Sequence, residues 1–236
     1  MHLQKLHKSA IISTTIWLIV FFLQRFKLYT YESDHLFLWD TNWILEQLNS
    51  VGGLNLLATS FLTQFFRFTI VGTTVATILY CIIIQCVIML ISEFTDDNKV
   101  KALAFLPAIF LSLCIEDPFY GFRGHVALTL GLLVVLAYRK MAKRMPNAEL
   151  ATCLIFALVT YLAIGSVAIL FLLTILTINV LTKQKALSPV ISLAVTLLCG
   201  FIANRFGHEA SFEESTSPLL YYNWPTGYKT LLLAWL

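Results

Sequence analysis

Between Arg67 and Glu93 the chain runs from Phe68 to Ser92 without one charged residue. As a helix rising about 1.5 Å per residue, that stretch exceeds the roughly 30 Å of hydrocarbon in a bilayer. It does not stand alone. Ala10–Leu23, Ala102–Ile115, Val126–Tyr138, Leu150–Thr182 and Ser188–Ala203 are equally free of charge, and 58% of all residues are hydrophobic against 12% charged. Soluble domains sit nearer 45–50% apolar and about 25% charged. The pattern therefore predicts an all-α, polytopic membrane protein whose solvent is lipid.

The Lys and Arg residues fall in short clusters between the apolar runs, which suits topology better than nucleic acid binding. MHLQKLHK precedes the first run, and Gln24, Arg25, Phe26 and Lys27 follow it in place of a small-residue cleavage site. Residues 10–24 thus read as an uncleaved first helix with its N-terminus in the cytoplasm, Lys8 and Arg25 snorkelling at its ends. Ala102–Ile115 and Val126–Tyr138 are each short for a crossing, so the joining EDPFYGFRGH must dip into the membrane. Arg139, Lys140, Lys143 and Arg144 form the most basic loop and belong in the cytoplasm. As a single helix Leu150–Thr182 would measure roughly 50 Å, so it divides at Gly165 and Ser166 into a hairpin. The count is about seven spans plus a partial eighth at Thr230–Leu236. On this reading residues 1–236 form one polytopic domain, the N-terminal part of a longer protein.

Residues 25–67 then make an extracytoplasmic loop. Asp40 precedes TNWILEQLNS, a short helix ended by Gly52 and Gly53. Leu54, Leu57, Phe61, Phe65 and Phe68 recur at spacings of three and four, with Asn55, Thr59, Thr63 and Arg67 elsewhere on the wheel. That is an amphipathic helix lying in the interface.

The outer side gathers Glu32, Asp34, Asp40, Glu46, Glu116, Asp117, Glu209, Glu213 and Glu214, while the inner side keeps most of the Lys and Arg. Glu32 and Asp34, two residues apart, are of a type that holds a divalent cation or acts as a general base. Asp40 could do the same, or could simply cap the helix that starts at Thr41. Arg123 and His125 sit at or below the outer interface, where ionisable groups are functional candidates and usually paired. Asp117 is the partner for Arg123, unless both mark a shallow loop. The outer aromatics, Trp39, Trp43, Phe65 and Tyr120 among them, form either an interfacial belt or a cleft that stacks on sugar rings. HEASFEE lacks the second histidine of a zinc motif, so no metal site is predicted there. The five cysteines lie inside apolar runs and form no CxxC pattern.

FLWDTNWILEQL, followed by VGGLNLLATSFLTQFF and an apolar span, resembles a family of bacterial multi-pass membrane proteins defined only as a domain of unknown function. The paired short runs, the basic loop and the Leu-Ala-Ile-Gly-Ser hairpin share that resemblance. It implies a bacterial cytoplasmic membrane location and a longer natural chain, and no activity. More loosely, the plan is similar to the integral-membrane glycosyltransferases of the C superfamily, which use lipid-linked sugars and carry acidic catalytic residues in the first outer loop. That likeness implies Asp34 or Asp40 as base or cation ligand beside Glu32, and Arg67, Arg123 or Arg205 neutralising a lipid phosphate. The implied partners are membrane lipids and a polyprenyl-phosphate-linked sugar. The competing class is a non-enzymatic scaffold or assembly partner. A transporter ranks below it, since Gln85, Thr160, Thr174 and Asn179 are thin material for a polar path.

Overall fold

The computed structural model describes residues 11–25, 28, 37–115, 122–145, 148–182 and 186–206, the last four of these by their backbone alone. Among the described residues every regular element is helical. Helix α1 is Ile11–Arg25, and α2 (Thr41–Asn49), α3 (Gly53–Thr63) and a 3-10 turn at Gln64–Arg67 lead into α4 (Thr69–Ile91). A short α5 (Asn98–Lys101), a second 3-10 turn and α6 (Leu106–Cys114) precede α7 (Arg123–Arg144). The chain continues through α8 (Glu149–Ile164), α9 (Val167–Leu181) and α10 (Leu187–Phe206).

Two helices, α4 and α7, are long and apolar enough to cross a membrane, and α1, α8, α9 and α10 are shorter apolar helices. The expected break in the longest uncharged run is present, because Gly165 takes φ 85° and ψ −147°, a region open essentially to glycine. Helices α8 and α9 leave it and pack side by side, Cys153 and Ala157 lying in one buried cluster with Phe171, Leu172 and Ile175.

Helix α7 joins the two main cores. Its first turns enter a cluster of Val20, Phe66, Tyr80, Ile83, Leu111, Phe122 and Val126. Its second half enters the cluster with α8 and α9 through Val135 and Tyr138. Helix α10 packs against α8 and α9.

Three boundaries differ from expectation. Helix α7 starts at Arg123, so Arg123 and His125 form its first turn where a dipping loop was expected. Phe122, at φ 58°, is the residue that turns the chain into it. Its fully buried ring packs edge-on against Phe66 and flat on His125, contacts that hold the strained backbone in place. The predicted interfacial helix stops at Thr63, and Phe65 belongs to the 3-10 turn. Helix α10 runs on to Phe206, past the end of the uncharged run at Ala203 and through Arg205.

Candidate functional site

Helix α3 buries its polar side chains, together with Leu57, and leaves two large apolar ones exposed. Asn55, Thr59, Ser60 and Thr63 are buried, whereas Leu54 and Phe61 are exposed. The hydroxyls tolerate burial because they bond backward along their own helix, Thr59 Oγ1 to the Asn55 carbonyl at 2.8 Å and Thr63 Oγ1 to the Ser60 carbonyl at 3.1 Å. Asn55 is different. Its carboxamide is fully buried and makes no hydrogen bond among the described residues, an arrangement that costs free energy in an apolar surrounding.

Over the exposed face of α3 lies a chain of rings. Phe37 meets Trp39, Trp43 and Phe61 at centroid distances of 5.0, 5.5 and 5.6 Å, and Phe61 meets Phe65 at 5.3 Å, all edge to face. Trp39 remains 84% exposed. The rings thus pack on one another edge to face, an arrangement aromatic pairs favour.

The candidates named by the sequence have separate surroundings. Both carboxylate oxygens of Asp40 accept backbone N–H groups, from Asn42 at 3.4 Å and Trp43 at 3.3 Å, so the residue caps α2. Arg67 is exposed in the 3-10 turn and Arg123 is half-buried at the start of α7. Glu32, Asp34 and Asp117 lie outside the described residues, as does the side chain of Arg205. Among the described residues no group of three or more His, Cys, Asp or Glu side chains could hold a metal ion.

His125 is fully buried. Its Nε2 lies 3.0 Å from the Tyr80 hydroxyl, which donates to Gln24 Oε1 at 3.3 Å, and Gln24 Nε2 donates to the Ser112 carbonyl at 3.5 Å. The chain has a direction. With the Gln24 amide oriented by Ser112 and the Tyr80 proton committed to Gln24, the hydroxyl oxygen must accept, so Nε2 of His125 carries a proton. One polar thread thus joins α1, α4, α6 and α7 through an apolar core, a structural role of the kind interhelical polar side chains have in membranes.

A second cluster, at the other end of α7, was missed by the sequence reading. Glu93 accepts from Arg139 Nε at 3.1 Å and Nη2 at 2.8 Å on one oxygen, and from Lys143 Nζ at 2.7 Å on the other. Arg139 Nη1 donates to Asn179 Oδ1 at 3.4 Å, and Ser188 donates to Glu149 at 2.9 Å nearby in sequence to both. Partial burial pushes the Glu93 carboxyl up, but hydrogen bonds from Lys143 and Arg139 and their charges outweigh it, and the group lies below its ordinary value of 4.5. The signal was present: Arg139 and Lys143 stand four apart and share a helical face.

Between α3, α7 and α8 an apolar groove of about 260 Å³ is lined by Leu54, Leu130, Val134, Ile155, Phe156, Val159, Thr160, Ala163 and Ile164. Its floor is held by a backbone tie, Gly52 N–H to the Leu162 carbonyl at 2.9 Å, which pins the α2–α3 turn to the end of α8.

An all-helical bundle with two helices able to cross a membrane, a helix with its polar face inward and a lateral apolar groove defines a class without naming a reaction. The chain belongs to a family of unknown function, DUF6057, whose family model matches residues 2–236. No curated protein and no solved structure matches it.

Proposed function

We propose that this is a multi-pass protein of a bacterial cytoplasmic membrane, crossing about seven times with its N-terminus in the cytoplasm. Residues 25–67 lie on the outer face and act there on a lipid-linked sugar as a transferase. The observation that carries the membrane placement is α3, which exposes Leu54 and Phe61 while it buries Asn55, Thr59, Ser60 and Thr63 beside Leu57. In water that arrangement exposes what should be buried; at a lipid interface it is the favourable one. The shorter helices α1, α8 and α9 fit a bilayer by local thinning and by snorkelling of their flanking charges. The transferase step rests on the carboxylate pair Glu32 and Asp34 in that loop of the sequence.

Ser50 and Lys140 are both exposed, and they test the placement. In intact cells, a membrane-impermeant maleimide is expected to label Ser50→Cys and to reach Lys140→Cys only after permeabilisation. Labelling of Lys140→Cys from outside, or of both alike, would overturn the topology.

A scaffold is the second reading, and the capping role of Asp40 favours it. Loss of an N-cap costs about 1 kcal/mol, and asparagine caps as well as aspartate. If Asp40 only caps, Asp40→Asn matches the parent protein in stability and in sugar transfer, while Asp40→Ala is less stable by about 1 kcal/mol. If Asp40 is a catalytic carboxylate, Asp40→Asn abolishes transfer without a change in thermal midpoint. Transfer from a polyprenyl-phosphate-linked sugar by the purified protein, lost in Asp34→Asn, decides between transferase and scaffold.

A further inference from the structure

We infer that the groove between α3, α7 and α8 holds one hydrocarbon chain of a membrane lipid, entering sideways from the bilayer. The inference deepens the membrane placement proposed above and rests on it. Its lining chooses the ligand. Eight of the nine lining residues carry apolar side chains, and the ninth, Thr160, already gives its hydroxyl proton to the Phe156 carbonyl. The groove therefore offers no free donor to a phosphate or a sugar, and desolvating such a group there would go uncompensated.

Its size argues the same way. About 260 Å³ lies just under the roughly 300–1,000 Å³ of pockets that enclose whole small molecules, room for a length of one chain with the head group left outside. Its mouth faces the right medium. Leu54, Ile155 and Val159 are at once lining residues and exposed. Phe61, Phe65 and Phe68 beyond Leu54 are exposed as well, as are Ile70 and Val71 on α4, a helix able to cross a membrane. The groove is thus continuous with the surface that hydrocarbon would cover, and the aromatic rings at its α3 edge stand where a lipid's polar–apolar boundary would fall.

An ordinary lipid-facing surface supplies the control. Val190, Leu198 and Phe201 on α10 are exposed and apolar and are not among the residues that line this groove. The full chain would be reconstituted in phosphatidylglycerol vesicles carrying a diazirine midway along one acyl chain, irradiated, and its labelled peptides mapped. Label on Leu54 and Ile155–Ala163 is expected to exceed that on α10 about fivefold, the ratio that corresponds to about 1 kcal/mol of preference. Ala163→Phe, which fills the groove from its floor, should bring the groove label down to the α10 level and leave α10 unchanged. Should that variant fail to fold, Leu54→Trp blocks the mouth from an exposed position.

Equal labelling of the two surfaces, or groove labelling indifferent to both variants, would overturn the inference in favour of bulk solvation. Cross-links between two copies through α8 would overturn it in favour of a self-association face. Failure of the membrane placement itself would show separately, in the accessibility of Ser50→Cys.

Discussion

Gly53→Ala is expected to lower the thermal midpoint of the purified protein by several degrees. Two effects of opposite sign meet at this residue. Gly53 opens α3, and on propensity alone alanine is the better helix former by about 1 kcal/mol. A Cβ at this position, however, would stand 1.9 Å from the Gln47 carbonyl oxygen and 2.8 Å from its carbonyl carbon. Those atoms are backbone of α2, so no side-chain rotation relieves the overlap, and the two helices must move apart. Overpacking of this kind costs about 1–3 kcal/mol and sometimes more, and a backbone collision belongs at the upper end. The net loss is therefore about 2 kcal/mol, or roughly 4–8 °C for a chain of this size. Opening the turn also strains the bond from Gly52 to Leu162 and the packing of Phe37 and Trp39 on Phe61. Trp emission should accordingly shift in the variant. An unchanged or raised midpoint would mean that α2 does not sit against α3 as described.

Gly53 also illustrates what the sequence carries and what it hides. Gly52-Gly53 reads as a stop for the first short helix, but α2 already ends at Asn49 with Ser50 as its C-cap, Gly52 leads into α3, and Gly53 is the point of closest approach between the two helices. Nothing in a linear pattern shows which backbone a glycine will touch. Apolar runs are legible because each span answers to lipid independently, and hence α4, the α8–α9 break at Gly165 and the start of α2 at Asp40 follow from local chemistry. The helical wheel from Leu54 was legible in part: Leu54, Phe61 and Phe65 are exposed, but Leu57 is buried and the helix ends at Thr63. The candidate site was less so. His125 was singled out by the cost of an ionisable group at depth, yet its partners Tyr80 and Gln24 lie in separate runs and look like ordinary span residues. In the sequence Arg139 reads as a topology marker and Glu93 only as the charge that ends the apolar run Phe68–Ser92. Their pairing spans 46 positions in the chain and exists only once α4 and α7 are side by side.

That pairing leads to the largest expected loss. Arg139 is 7% exposed, and Glu93 meets it with one carboxylate oxygen while the other meets Lys143. Glu93→Ala takes this carboxylate from the buried Arg139 guanidinium; losing one partner of a fully buried pair costs about 3–5 kcal/mol, and because Glu93 itself meets water the loss falls at the bottom of that range, about 3 kcal/mol. The double variant Glu93→Ala, Arg139→Leu removes the uncompensated charge as well, and should recover much of that loss, because apolar replacement of a buried pair is often neutral. Lys143 is mostly exposed, so Lys143→Ala is worth at most about 1 kcal/mol. The pH dependence follows from the direction of the Glu93 shift. Its carboxyl titrates lower in the folded protein than in the unfolded chain, so its contribution is fully present above the ordinary value of 4.5 and disappears as pH falls through the lowered one. Between pH 7 and that ordinary value this group adds no slope to stability; below it the parent protein should weaken with acid while Glu93→Ala, already without the carboxylate, should not follow the same curve. Thermal midpoints of the two proteins converging in acid would support the clasp between α4 and α7, and parallel curves would mean that Glu93 contributes nothing to holding those helices together.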